Sequence, residues 1–415
     1  MSVKKIAIVC AEPSGDMLAS GLIKKLKLTY PDAKICGIGG ELSQQAGLDS
    51  WFDMNELSVM GLVEVLKHLP RLLSIKRALL KKLFAFEPDI FIGVDAPDFN
   101  LPIEAKLKAK GVTTVHYVSP TVWAWREGRM AKIKRAADHV LGLFPFEAQV
   151  YQRHEVDYTF IGHPMADAIG INEVRHDHCL SIKAEIEPLT LALLPGSRAA
   201  EVATLLPTFL DSVLLLQEHI PDLQVLIPAA NQARFAQIQS ILANHTVDKA
   251  HIQVLTEPAR TVMLASHCVL LSSGTATLEA MLCRKPMIAA YTMSALTYWM
   301  MRRLYKPDFF ALPNILADEL LVPEVLQKDV NPVMLSAYLL HVLAQYTQQH
   351  PTRSSLSVQC SIPETICEGS KTIPATTEHF MHVQKRFADC HHTLRKNADQ
   401  QAHNVIVSLL EKSKR

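Results

Sequence analysis

The chain has 415 residues, too many for one ordinary core, so two domains are expected. Its 49% hydrophobic and 20% charged content excludes a disordered chain, and 42 basic against 41 acidic side chains give nucleic acid no electrostatic hold. Eight scattered cysteines, with no CxxC pair and no interleaved histidines, exclude a disulfide framework and a zinc set and point to a reducing cytoplasm.

The opening MSVKKIAIVC carries an apolar run too short for a signal peptide. No window approaches the roughly 18 to 20 apolar residues that spanning a bilayer requires, so the expectation is a soluble protein or one resting on a membrane surface. Strands are expected at 6–10, 34–40, 89–94, 113–118, 139–144 and 158–162. The rhythm restarts at 191–197, 223–228, 251–255, 268–274 and 286–291. These runs are apolar throughout, as parallel strands covered on both faces should be, and amphipathic stretches separate them. Two such sets predict an α/β chain of two Rossmann-like domains, 1–165 and 166–349, followed by a Ser/Thr/Pro-rich loop at 350–377 and a helical segment at 378–415. Ligands in this architecture bind beyond the carboxyl ends of the strands, so a cleft between the domains is the expected site.

After the first strand, AEPSGDML has Gly15 in its turn and Ser14 as a cap for the next helix, but it lacks the GxGxxG fingerprint. Residues 61–83 place Leu62, Val65, Leu66, Leu69, Leu73 and Leu80 on one helical face and Glu64, Lys67, Arg71, Lys81 and Lys82 on the other, with Pro70 expected to split the helix. For most of these residues a crossover helix packed on its sheet accounts for the pattern. A surface helix dipping into an anionic membrane has the same composition, with Val63, Leu66, Leu69 and Leu73 as its docking face. FIGVDAPDFN runs a strand into Asp95 and Asp98, and a strand ending on an acid delivers it to a site. HYVSPTVWAWREGR sets His116, Trp123, Trp125 and Arg126 just past the next strand, either closing a core or lining an acceptor pocket.

In the second domain, LLPGSRAAEV reads as strand, turn and helix start. Gly196 allows close backbone approach, Ser197 can cap the helix, the helix N-terminus attracts an anion, and Arg198 offers a fork of donors to a phosphate. An ordinary junction with an exposed arginine explains the turn equally well. LLSSGTATLEAML tips the balance toward the anion site, because Ser273, Gly274 and Thr275 open a second anion cradle at the same edge. Glu279 lies one helical turn deeper, where a carboxylate can accept both hydroxyls of a ribose. Together the two turns read as a nucleotide-diphosphate site.

Taken in order, SGD, ELSVMGLVEVL, DIFIGVDAPDFN, HYVSPTVWAWR, FPFE, FIGHPMAD, LLPGSRAAEV, SSGTATLEAML and LPNILA resemble the lipid-A-disaccharide synthase family of inverting GT-B glycosyltransferases. The resemblance runs from residue 6 to about 330, and VDAPDFN with HYVSP-VWAWR is its most specific part. It implies transfer of 2,3-diacylglucosamine from UDP to 2,3-diacylglucosamine 1-phosphate, giving a β-1,6-linked disaccharide and UDP. It also implies no bound metal or cofactor, no nucleic acid, and work at the cytoplasmic face of a Gram-negative inner membrane.

UDP would be held by Ser197, Arg198, Ser273 to Thr275 and Glu279, with Asn314 of LPNIL nearby. The acceptor side would draw on Ser14, Asp16, Asp98, His116, Trp123 and Arg126. Asp95 would be the base and Asp98 its loop support. Two departures from the family pattern are AEPSGD, where a Gly-Glu-Ala version is frequent, and the stretch 350–377. The latter leaves open the path of the C-terminal helix and any exchange of C-terminal segments in a homodimer. Three other readings share the plan: a UDP-N-acetylglucosamine 2-epimerase, a peptidoglycan-type N-acetylglucosaminyltransferase, and a non-catalytic UDP-sugar-binding protein. The first needs no membrane face, the second has a Gly-rich first loop, and the third needs no base.

Overall fold

A computed structural model describes residues 3–57, 62–171, 188–349 and 377–412, without the side chains of 62–69, 296, 345–349 and 377. Strands β1 (Lys5–Cys10), β2 (Lys34–Ile38), β3 (Asp49–Ser50), β4 (Ile90–Val94), β5 (Thr113–Tyr117), β6 (His139–Gly142) and β7 (Tyr158–Phe160) form one sheet in the order β3-β2-β1-β4-β5-β6-β7. A second sheet holds β8 (Thr190–Leu194), β9 (Gln224–Pro228), β10 (Ile252–Leu255), β11 (Cys268–Ser272), β12 (Met287–Tyr291) and β13 (Glu324–Leu326), in the order β10-β9-β8-β11-β12-β13. Every pairing is parallel. β4, β8 and β11 are buried along their whole length, which is why their sequences do not alternate.

The chain divides into two units. One comprises Met1–Ala168, Leu304–Lys306 and Thr393–Arg415; the other comprises Ile169–Arg303 and Pro307–His392. Each sheet reverses its strand order once, between β1 and β4 in the first unit and between β8 and β11 in the second. Those reversals are where an open parallel sheet leaves a crevice at its carboxyl edge.

Two expectations are corrected here. Helix Leu62–Phe86 is continuous, with Pro70 inside it rather than dividing it. Its Ile75, Leu79, Leu80 and Leu83 pack into the core of the first unit, while Leu73 is 44% exposed. Val63, Leu66 and Leu69 lie outside the described side chains. Among the described residues, helix Ala199–Gln217 is long and apolar enough to cross a bilayer, contrary to the sequence expectation. Its apolar residues Val202, Leu205, Leu206, Phe209, Leu210, Val213 and Leu216 instead form the core of the second unit.

The tail ends in helices Thr377–Leu394 and Ala398–Lys412, and the Ser/Thr/Pro-rich residues 350–376 fall outside the description. Asp167, from the HPMAD stretch, accepts the Asn397 and Ala398 N–H groups at 2.8 and 2.6 Å, capping the last helix. That helix buries Ala398, Ala402, Ile406 and Leu410, one residue per turn, in the core shared with helix Pro13–Thr29.

Fully buried Glu147 accepts the Phe144 N–H at 3.2 Å and the Tyr158 hydroxyl at 3.1 Å. Burial outweighs these bonds and pushes its carboxyl up to about 8. The unfolded chain, with this group near 4.5, ionises first. The folded state therefore loses stability from this group as pH rises from about 4.5 to about 8, and no more above that. Glu147→Gln should flatten that slope. Thermal unfolding of the parent between about pH 5 and pH 8 should show a steeper fall than the variant, and parallel profiles would show that Glu147 is ionised in the fold.

Candidate active site

In the second unit the loops after β8 and β11 meet, because these strands are neighbours at the point of reversal. They enclose a cavity of about 620 Å³ lined by Gly196, Ser197, Arg198, Glu201, Ser273, Gly274, Thr275 and Glu279, among others. Two turns 77 positions apart in sequence are thus one site, since Ser197 and Gly274 line the same space. Gly196 has φ +118, and a Cβ there would sit 2.4 Å from Glu201 Oε2, so any other residue would strain the turn and displace Glu201. Helix Ala199–Gln217 begins with Arg198 as its N-cap, not Ser197. Glu201 accepts the Arg198 backbone N–H at 3.4 Å and its guanidinium at 3.2 Å. A ligand phosphate would therefore compete with Glu201 for a side chain that is 57% exposed.

Helix Thr275–Leu282 starts at the cavity with its N-cap at Gly274, where a Cβ would meet nothing within 4 Å. Glu279, one turn in, is largely buried, and burial raises its carboxyl above the usual range while Arg260 pulls it back. An anion at the two helix starts and a hydroxyl pair at Glu279 fit this arrangement. Asn314 does not line the cavity. It is fully buried, accepting the Leu321 and Val322 N–H groups at 2.8 and 3.0 Å and donating to Glu324 and the Val322 carbonyl. Its helix, Leu312–Ala317, is tied to the site through the Leu312 N–H donating to Thr277 Oγ1, while Thr277 donates to the Gly274 carbonyl at 2.7 Å.

In the first unit, the loops after β1 and β4 meet in the same way. Gly15 lies near enough to Val94 that a Cβ would be 3.5 Å from it, so helix Pro13–Thr29 starts over the β1–β4 junction. Ser14 is exposed in its first turn, but Glu12 is the N-cap. Asp16 faces inward. It accepts the N–H groups of Gly40, Leu42 and Ser43 at 2.8, 3.1 and 3.2 Å, capping helix Glu41–Gln45, so its lone pairs are committed to the fold.

Asp95 follows β4 at the carboxyl edge, half-buried, with φ +52, and Ala96 follows with φ +42. Two successive non-glycine residues in the left-handed region are strained and need outside support. The Asp95 N–H donates to the Tyr117 carbonyl at 2.8 Å, and Asn100 donates its amide to the Asp95 carbonyl at 2.9 Å. Asp98, in the first turn of helix Pro97–Lys108, is exposed and forks onto the Arg129 guanidinium at 2.8 and 3.0 Å instead of hydrogen-bonding the loop backbone.

His116 is fully buried beneath this edge, its Nδ1 2.7 Å from Glu104 Oε1. Burial raises the Glu104 carboxyl, and His116 draws it down. The pair fits because Gly93 opposes His116 across β4 and β5; a Cβ on Gly93 would stand 2.2 Å from Glu104 Oε1. Trp123 packs edge-on against Phe146 at 4.6 Å and joins a hydrophobic cluster. Arg126 is exposed and stacks over Trp125 at 3.8 Å. Sequence reasoning overlooked Asn100, Glu104 and Glu201, and the spacing Asn100–Glu104 on one helix face was the available signal.

Residues 6–376 match the family model described as lipid-A-disaccharide synthetase. The lipid-A-disaccharide synthase of Alteromonas mediterranea is 49% identical over 98% of both chains. Those of Actinobacillus pleuropneumoniae serotype 7 and Haemophilus influenzae are 44% and 43% identical over 98% of this chain. This chain belongs to the lipid-A-disaccharide synthase family. It is a glycosyltransferase, and the epimerase and non-catalytic readings are not favoured. The GT-B fold is shared with more distant solved structures. A calicheamicin glycosyltransferase aligns at TM-score 0.56 and 12% identity over 99% of both chains. Acinetobacter baumannii MurG aligns at 0.53 and 13%, over 98% of this chain and 99% of that one.

Within this family frame the cavity predicts a measurable role for Arg198. A charge-assisted bond to phosphate contributes roughly 1.5 to 3 kcal/mol, and the half-exposed guanidinium belongs at the lower end. Arg198→Ala should weaken nucleoside-diphosphate binding about tenfold by calorimetry with the fold unchanged. Unaltered affinity would take Arg198 out of the site.

Proposed function

We propose that the protein transfers 2,3-diacylglucosamine from its UDP conjugate to the 6-hydroxyl of 2,3-diacylglucosamine 1-phosphate, with inversion, releasing UDP. The observation that carries this reading is the cavity formed by the β8 and β11 loops, in a chain matching family members end to end. UDP binds with its diphosphate on the helix starts at Arg198 and Thr275, assisted by Ser197, Ser273 and Gly274, and its ribose on Glu279. Asn314 acts from behind, holding the loop. No cofactor enters the reaction, and nucleic acid is not a partner.

The acceptor hydroxyl is a poor nucleophile while protonated. Asp95 takes its proton as the new C–O bond forms at the anomeric carbon and the bond to UDP breaks on the opposite face. Support for Asp95 comes from its position past β4 and its strained backbone, the kind of conformation retained where a side chain must be aimed. Asp98 and Arg129 form the adjoining rim with Ser14, Trp123 and Arg126. His116 and Asp16 act through the fold rather than on the sugar. Both substrates carry two acyl chains, each CH₂ costing about 0.8 kcal/mol to expose, so the enzyme works on the cytoplasmic face of the inner membrane. Leu73, with Val63, Leu66 and Leu69, belongs to the docking helix. A homodimer is compatible with this reading.

Asp95→Asn keeps size and polarity but cannot take a proton. Its turnover should fall about 10²- to 10⁴-fold while UDP affinity holds. Asp98→Asn should cost less, mainly by freeing Arg129. Normal turnover in Asp95→Asn beside an inactive Asp98→Asn would reverse the assignment.

A further inference from the structure

Helix Ala295–Leu304, ALTYWMMRRL, lies in the second unit as far as Arg303 and exposes its large apolar residues. Trp299, Met300 and Leu304 are 55%, 39% and 45% exposed, and none of the nine described side chains of this helix is buried. At about 100° per residue, Trp299, Arg303, Met300 and Leu304 share an arc of about 140°. Tyr298 and Met301, on the opposite face, are the half-buried ones. The helix thus turns its large apolar residues away from the protein, the reverse of a helix packed on a sheet. It is independently capped, Ser294 Oγ accepting the Thr297 N–H at 3.3 Å.

The charge pattern selects what covers this face. The helix carries Arg302 and Arg303 and no acid. Among the described residues neither arginine is held by a carboxylate; Arg303 instead lies over the Trp299 ring, 3.9 Å from its centroid. A protein partner would be expected to find an apolar face rimmed by both signs. A tryptophan flanked by arginines suits the boundary between lipid phosphates and acyl chains, where an indole keeps its body apolar and its N–H wet.

We propose that helix Ala295–Leu304 is a second membrane-docking element, lying in the plane of an anionic bilayer with Trp299, Met300 and Leu304 below the phosphates and Arg302 and Arg303 at them. This extends the proposed use of membrane-held substrates, but it is tested by binding alone, and turnover with detergent-dispersed substrates tests that reading separately. The full chain is cosedimented with phosphatidylcholine vesicles with and without phosphatidylglycerol. The combined variant Trp299→Ser, Met300→Ser, Leu304→Ser should bind anionic vesicles at least about tenfold more weakly, with UDP affinity intact. Arg302→Gln with Arg303→Gln should remove most of the preference for phosphatidylglycerol. Should the triple variant lose UDP affinity, Trp299→Gln alone is read, and it must still weaken binding severalfold. Vesicle binding equal to the parent in these variants overturns the proposal. So does a change confined to oligomeric mass in light scattering, which would assign the face to a second copy of the chain.

Discussion

The amide of Asn100 ties together the ends of two strands at the first unit's carboxyl edge. Its Nδ2 donates to the carbonyls of Val9, Val94 and Asp95, at 3.3, 3.4 and 2.9 Å, and so joins the ends of β1 and β4 where the sheet reverses. Asp95 and Ala96 are left-handed, and this amide and the Tyr117 carbonyl hold the Asp95 residue from both sides while the Phe99 and Asn100 N–H groups hold the Ala96 carbonyl. One turn along the same helix, Glu104 meets His116 in the space that Gly93 leaves. Among the described residues Asn100 Oδ1, Glu104 Oε2 and His116 Nε2 have no hydrogen-bond partner, a costly arrangement for buried polar atoms. A chain optimised for packing alone would fill that volume with leucine; this one keeps polar groups directly beneath the acid.

The second unit solves the same problem with different chemistry. Its strand order repeats that of the first, yet the loop after β8 is shaped by Gly196 and Glu201, and the loop after β11 by Thr277. The cavity between these loops is lined by Ser197, Arg198, Ser273, Gly274 and Thr275, whereas the first unit carries a carboxylate, Asp95, at its reversal. One architecture carries a glycine-turned cavity at one reversal and half-buried Asp95 at the other, and the proposed transfer assigns the nucleotide to the first and the base to the second.

Much of this was legible in the sequence. All eleven anticipated strands form, because uninterrupted apolar runs mark strands covered on both faces. β3 and β13 were not anticipated; at two and three residues they are too short to carry a period. The two glycine turns of the second unit were recognised individually, and parallel topology then made them one cavity. Asp16, His116 and Asn314 show where reading stops. Each sits in a motif beside a site, but the hydrogen bonds that turn it inward come from residues 24 to 27, 12, and 7 to 10 positions away. A motif records that a residue is needed, while only the fold separates touching a ligand from holding the loop that does. Pro70 and helix Ala199–Gln217 misled for a related reason: tertiary packing, not local propensity, decides whether a helix continues and what its apolar face meets.

The central claim is that the bound nucleotide sugar is consumed only by transfer to a lipid acceptor. The direct measurement is UDP release from the UDP-diacylglucosamine donor, followed with and without diacylglucosamine 1-phosphate, together with the mass of the sugar product. The account predicts that UDP appears only when the acceptor is present, one for each disaccharide formed. UDP released at the same rate without acceptor, or a donor epimerised at C2 with no disaccharide, would contradict it.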